Sequence, residues 1–185
     1  MPPTIAIISC SLHPVSRSYV LAQEALVAVQ QTGATATLYD LRTLDLGFAD
    51  ATTAHKTPDA VTIIEAIRNA NAVILAMPIY NYDVNAAAKN LLEIGLRAWD
   101  RKVVSFLCVA GGRSSYMSAM GVANSLMLDF RCLIVPRFVY ATGADFGDDR
   151  TATMHVAAEE VQRRVVEVAQ VTVELAQAVA PFYQS

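Results

Sequence analysis

Residues 4–20 read TIAIISCSLHPVSRSYV. An apolar, β-branched run ends at Ser9, as a buried strand does. A helical pattern opens near Arg17. Between them lie Ser11, Ser16, Ser18, His13 and Arg17, with neither a GxGxxG pattern nor a lysine-ended phosphate loop. A strand thus enters a helix through a turn rich in hydroxyls rather than glycines. Ser16 or Ser18 suits the helix cap. Together with Arg17 the serines exceed what a cap needs, and hydroxyls around a helix N-terminus suit a phosphate monoester. Glycines in that turn would instead admit a pyrophosphate, so the turn favours a mononucleotide over a dinucleotide.

The same alternation continues along the chain. Strand-like runs occupy 4–9, 34–41, 71–78, 102–110 and 132–139, and helix-like segments occupy 17–32, 58–70, 84–99, 115–130 and 150–180. Gly33 stops the first helix and Pro58-Asp59 opens the second. Val161, Val165, Val168 and Val171 recur at helical spacing in the last. Five βα units without a repeat or linker predict one α/β domain over 1–185. Its expected form is a three-layer sandwich around a five-stranded parallel sheet of order 2-1-3-4-5, the flavodoxin-like arrangement. A six-stranded Rossmann sheet is second, because its first turn normally carries glycines.

Composition narrows the partners. The chain has 185 residues, 54% of them hydrophobic, and a formal charge of −3. That charge argues against coating nucleic acid, and the apolar excess points to a homodimer or homotetramer. No apolar run has the length of a membrane span, and the N-terminal MPPTIAII has no signal-peptide pattern, so a cytoplasmic location is expected. Cys10, Cys108 and Cys132 show no metal-binding spacing and read as buried thiols. No catalytic triad, paired catalytic carboxylates or metal cluster stands out.

In the expected sheet a ligand sits beyond the ends of the first, third and fourth strands. The loop after the third strand begins Pro78-Ile79-Tyr80-Asn81. Tyr80 and Tyr82 offer aromatic walls and Asn81 an amide, the combination that suits a flat heteroaromatic ring. Both tyrosines also suit an ordinary loop or a subunit contact, and Asp83 or Asn85 suits a helix cap. After the fourth strand, Gly111-Gly112 permits close approach to a ligand and Arg113 adds a cation; a tight turn capped by Ser114 or Ser115 is the other reading. Lys89 reads as a surface charge and Trp99 as a packing residue. Residues 135–150 read as a loop in which Phe138, Tyr140 and Phe146 cover the core or an interface.

These three loops resemble those of the NAD(P)H-dependent FMN reductase family. That family includes sulfonate-starvation FMN reductases and small quinone, azo-dye and chromate reductases. SLHPVSRS resembles its SxRxxSxS-type phosphate loop, PIYNYDVNAAAKNLLE its PxYN…LKN stretch, and AGGRSSY its glycine-pair loop. Cys10-Ser11 stands where Gly-Ser is frequent, and His13 where an arginine is common. The resemblance implies bound FMN, NAD(P)H as electron donor, and a small-molecule acceptor such as free flavin or a quinone. It assigns cofactor contacts to Ser11, His13, Ser16, Arg17, Ser18, Pro78, Ile79, Tyr80, Asn81, Gly111, Gly112 and Arg113. Arg113 would favour negative charge on the reduced ring. No obligatory acid–base side chain is expected. A flavodoxin-like electron carrier without NAD(P)H turnover is the alternative.

Overall fold

The computed structural model describes residues 2–183. Four long parallel strands form the centre: β1 (Thr4–Ser9), β2 (Thr35–Asp40), β3 (Ala72–Tyr80) and, after the short β4 (Asp83–Val84), β5 (Val103–Ala110). The fifth position is shared by β6 (Leu133–Ile134) and β7 (Val139–Thr142), which pair with successive parts of β5. The sheet order is β2-β1-β3-β5-β6. Counting β6 and β7 as one interrupted strand, this is the expected order 2-1-3-4-5.

The interruption corrects the expected continuous strand at 132–139. Pro136 offers no N–H to the ladder, and Arg137 has φ 60°, which turns the chain out of the sheet. The expected loop at 135–150 likewise contains β7, a 3-10 turn (Gly143–Asp145) and β8 (Phe146–Gly147). The last pairs antiparallel with β9 (His155–Val156).

Alternation along the strands loads both faces of the sheet. Ile5 and Ile7 of β1 face α1 (Arg17–Gln31) and α5 (Glu159–Tyr183). Ala6 and Ile8 face α2 (Pro58–Asn69), α3 (Ala86–Gly95) and α4 (Met120–Phe130). All four side chains are buried, which is why β1 reads as a continuous apolar run. Ser16 caps α1 by accepting the Tyr19 N–H at 3.1 Å.

Three helix boundaries differ from expectation. The helix expected at 84–99 ends at Gly95, because Leu96 has φ 47°; a 3-10 turn carries the chain on to buried Trp99. The helix expected at 115–130 begins at Met120, after the 3-10 segment Arg113–Ala119. The last helix begins at Glu159 rather than 150, because 150–158 closes the β8–β9 arm. That helix is long and apolar enough to cross a membrane by composition. Here it buries Val161, Val165, Val168 and Val173 against the sheet and α1 and exposes Glu160, Arg163 and Glu167.

Candidate functional site

The carboxyl ends of β1, β3 and β5 surround a cavity of about 660 Å³, within the usual range for small-molecule sites. Each of the three loops has a distinct local cause.

The first loop supplies Ser11, Ser16, Arg17 and Ser18 to the wall. Ser11 Oγ accepts the His13 N–H at 3.3 Å and Ser16 Oγ accepts the Tyr19 N–H, so both hydroxyl protons remain available for donation. The Ser18 hydroxyl makes no hydrogen bond among the described residues. The backbone N–H groups of Arg17 and Ser18, at the first turn of α1, also have no partner there. The loop is therefore rich in donors at the positive end of a helix dipole. Arg42 holds it from outside: Nη1 donates to the Pro14 carbonyl at 2.6 Å, and its guanidinium also pairs with Asp40 and lies over Tyr19.

Arg17 reaches the wall already paired. Its Nε and Nη2 donate to the two Asp149 carboxylate oxygens at 2.7 and 2.5 Å. The hydrogen bond raises the Arg17 pKa against a smaller opposing effect of burial, and the same bond holds the Asp149 carboxyl below its ordinary range.

The second loop is a hairpin. Tyr80 pairs with Asp83 and Ile79 with Val84 across a two-residue turn. Asn81 and Tyr82 have φ 53° and 62°, as a type I′ turn requires. Asn81 thus has a backbone role that the sequence assignment of an amide partner did not include. Pro78, Ile79, Tyr80 and Asn81 line the cavity, and Tyr82 joins them. Asn85 precedes α3 but makes no side-chain cap; its amide donates to the Cys10 carbonyl at 2.7 Å, tying the β1 exit to the start of α3.

In the third loop, Gly111 and Gly112 line the cavity, and a Cβ built on either meets nothing within 4 Å. Neither has a positive φ. Their lack of side chains therefore serves open space rather than a special backbone angle. Tyr140 Oη donates to the Gly112 carbonyl at 2.5 Å and accepts the Ser115 N–H at 3.2 Å, fixing the loop from β7.

Two expected contact residues lie elsewhere. His13 is absent from the wall because its ring turns back on its own loop, where Nδ1 accepts the Val15 N–H at 3.1 Å. Arg113 is 84% exposed and points to Asp145, 3.9 Å away, beside a neighbouring hollow that includes Tyr116 and Phe138. Val109, Ala110, Ser115 and Arg150 complete the wall without having been assigned cofactor contacts from the sequence. Val109 and Ala110 belong to the apolar end of β5, and Ser115 sits next to the glycine pair. No local pattern marks Arg150.

The thiols lie in the core. Burial pushes Cys10 well above its ordinary value and Cys108 up to about 12.

Comparison with known proteins agrees with this fold. The NADPH-dependent FMN reductase family profile matches residues 3–146. An NAD(P)H-dependent FAD/FMN reductase of Geobacillus thermodenitrificans (strain NG80-2) is 25% identical over 134 residues, covering 71% of this chain and 70% of that protein. An oxidoreductase structure from Corynebacterium diphtheriae is similar with TM-score 0.75 and 20% identity, over 95% of this chain and 97% of that one. The flavoenzyme NAD(P)H:(acceptor) oxidoreductase of Paracoccus denitrificans gives 0.73 and 16%, over 95% and 98%. Both structures share the fold.

Proposed function

Because the chain belongs to the NADPH-dependent FMN reductase family, we propose that this cavity holds FMN and that the enzyme passes electrons from NAD(P)H through it to free flavin, a quinone or another small oxidant. The observation that carries the placement is the donor-rich first loop. Ser11, Ser16 and Ser18 are each at most 3% exposed, yet keep hydroxyl protons free beside the unpartnered N–H groups of α1. Such an array is matched to a phosphate monoester. The open floor at Gly111 and Gly112 and the hairpin wall at Tyr80 and Asn81 leave room for a planar ring.

Bound FMN supplies two-electron uptake from the nicotinamide and release to the acceptor. The protein's part is to bind and orient. The serines and the helix end fix the phosphate. Tyr80 of the hairpin and the glycine loop, which Tyr140 holds in place, would take up the ring. Buried Val109 and Ala110 keep the floor apolar. No side chain at the wall is assigned proton transfer.

Large apolar side chains are exposed on the hairpin and on the segment that follows the glycine pair. Tyr80, Tyr82, Met117 and Met120 are between 42% and 69% exposed. They support the expectation of a homodimer or homotetramer that covers them, which light scattering on the purified protein would test.

Anaerobic visible spectra with FMN, before and after NADH or NADPH, test the main reading. FMN binding followed by bleaching is expected. Absence of both binding and bleaching would overturn it. Binding without bleaching would assign the carrier role instead.

A further inference from the structure

The geometry points to Arg150 as the residue that makes the cavity select a phosphorylated flavin over riboflavin. This rests on the FMN placement proposed above and adds to it a group far from the first loop in sequence.

Arg150 lines the cavity together with Ser11, Ser16 and Ser18. One corner of its guanidinium is anchored: Nη1 donates to the Val15 carbonyl at 2.5 Å and lies 3.2 Å from His13 Nδ1. Because Nδ1 also receives the Val15 N–H, it is the acceptor in both contacts. Nε and Nη2 have no hydrogen-bond partner among the described residues. They form the fork that binds phosphate oxygens in pairs.

Charge accounting favours Arg150 over its neighbour. Arg17 is engaged by both oxygens of Asp149. Among the described residues Arg150 has no carboxylate within 4 Å. Asp149 precedes it in the chain and feels its charge, but the side-chain hydrogen bonds of that carboxylate go to Arg17, so the two arginines and one carboxylate leave one net positive charge. Arg150 thus contributes the cation left over beside the helix N-terminus.

The backbone holds it there. Asp148 and Arg150 have φ 48° and 62°, unusual angles for side-chain-bearing residues. They are braced by the Thr151 hydroxyl on the Asp148 carbonyl at 2.7 Å and by the β8–β9 pairing. Ordered strain at a binding surface fits a placed functional group.

The test is fluorescence titration of the full chain with FMN and with riboflavin, at several salt concentrations. Wild type, Arg150→Gln and Arg150→Lys are compared, with melting temperatures as a folding check. Arg150→Gln should raise the FMN Kd at least about tenfold, the scale of one lost charge-assisted contact. Riboflavin should stay within about twofold. Arg150→Lys should recover part of the loss, and the salt dependence of FMN binding should flatten in Arg150→Gln. A purely structural role, through the Val15 contact that a lysine also can make, would not move that salt dependence. Equal loss of both flavins, or full retention of FMN preference by Arg150→Gln, overturns the assignment. A wild type that binds FMN no better than riboflavin overturns the phosphate placement beneath it.

Discussion

Asp149 grips the Arg17 guanidinium with two parallel hydrogen bonds, across 132 positions of sequence. The pair joins the first turn of α1 to the arm that carries Arg150, and it places a carboxylate beside the serine-rich end of the cavity. Replacing Asp149 by Asn removes a negative charge there and leaves Arg17 free to turn inward. We expect FMN affinity to rise by about threefold at low salt, with the gain shrinking as salt screens it. Riboflavin binding should not change. Parallel titrations of both flavins check this; an unchanged or weaker FMN affinity would show that Asp149 serves to position Arg17.

The same pair predicts a pH dependence. The folded-state pKa of Asp149 is lowered from its ordinary 3.8, first by the Arg17 hydrogen bond. Its stabilisation is therefore complete above the ordinary value and is lost as pH falls through the lowered one. The pair is partly solvated, so its contribution is small. Wild type should melt about 1–2 °C above Asp149→Asn near neutral pH. The gap should narrow steadily below about pH 4. A gap that widens with acid would contradict the pairing.

Tyr140 predicts a loss of a different kind. Its hydroxyl bonds to Gly112 and Ser115, at the opposite end of the cavity from the serines. Tyr140→Phe keeps the ring, and so its tilted contact with Tyr116. It frees the glycine loop. The fold should lose about 1 kcal/mol. FMN and riboflavin should weaken together, by about fivefold. Loss of FMN alone would move the phosphate to this end of the cavity.

Gly111 separates fold from ligand. A Cβ built there meets no atom within 4 Å beyond its chain neighbours. Gly111→Val should therefore melt within about 2 °C of wild type, as substitutions into open space do. The added branched group projects into the cavity and should reduce binding of both flavins by more than about tenfold. Melting curves and flavin titrations on one preparation decide it.

The parts of this architecture visible in the sequence are those with local causes. β1, β3 and β5 are buried on both faces, so their apolar runs stand out without structural help. The three loops follow directly from those strand ends. What was hidden depends on backbone angles or distant partners. Pro136 lay inside an apparent strand, but the split also needed Arg137 in a left-handed conformation. Asn81 offers an amide, whereas its turn position gives it a backbone task; an Asn just past a strand end, a residue that tolerates a left-handed angle, is the local signal for that turn. Asn85 suited a cap, yet its amide bonds Cys10, 75 positions away. Arg150 comes to the first loop from beyond residue 146, the end of the family match, and nothing in its immediate neighbourhood marks it. His13, assigned to the cofactor, instead faces that arginine.

Gly95 gives a prediction about the fold alone. It is the last residue of α3, and the buried Trp99 indole lies so close that a Cβ at 95 would overlap the ring. The indole cannot readily withdraw: Trp99 is fully buried, and its carbonyl accepts the Cys132 thiol at 3.1 Å. Leu96, already at φ 47°, gives the turn little further freedom. In an ordinary helix, Gly→Ala stabilises. Here overpacking outweighs propensity, and Gly95→Ala should cost about 1–3 kcal/mol. The contact lies in the α2–α4 layer rather than at the cavity wall. Flavin affinity of the folded fraction should therefore stay within about twofold of wild type. Urea unfolding monitored by Trp99, the single tryptophan of the chain, measures the cost directly. A stabilised Gly95→Ala variant would refute the close packing.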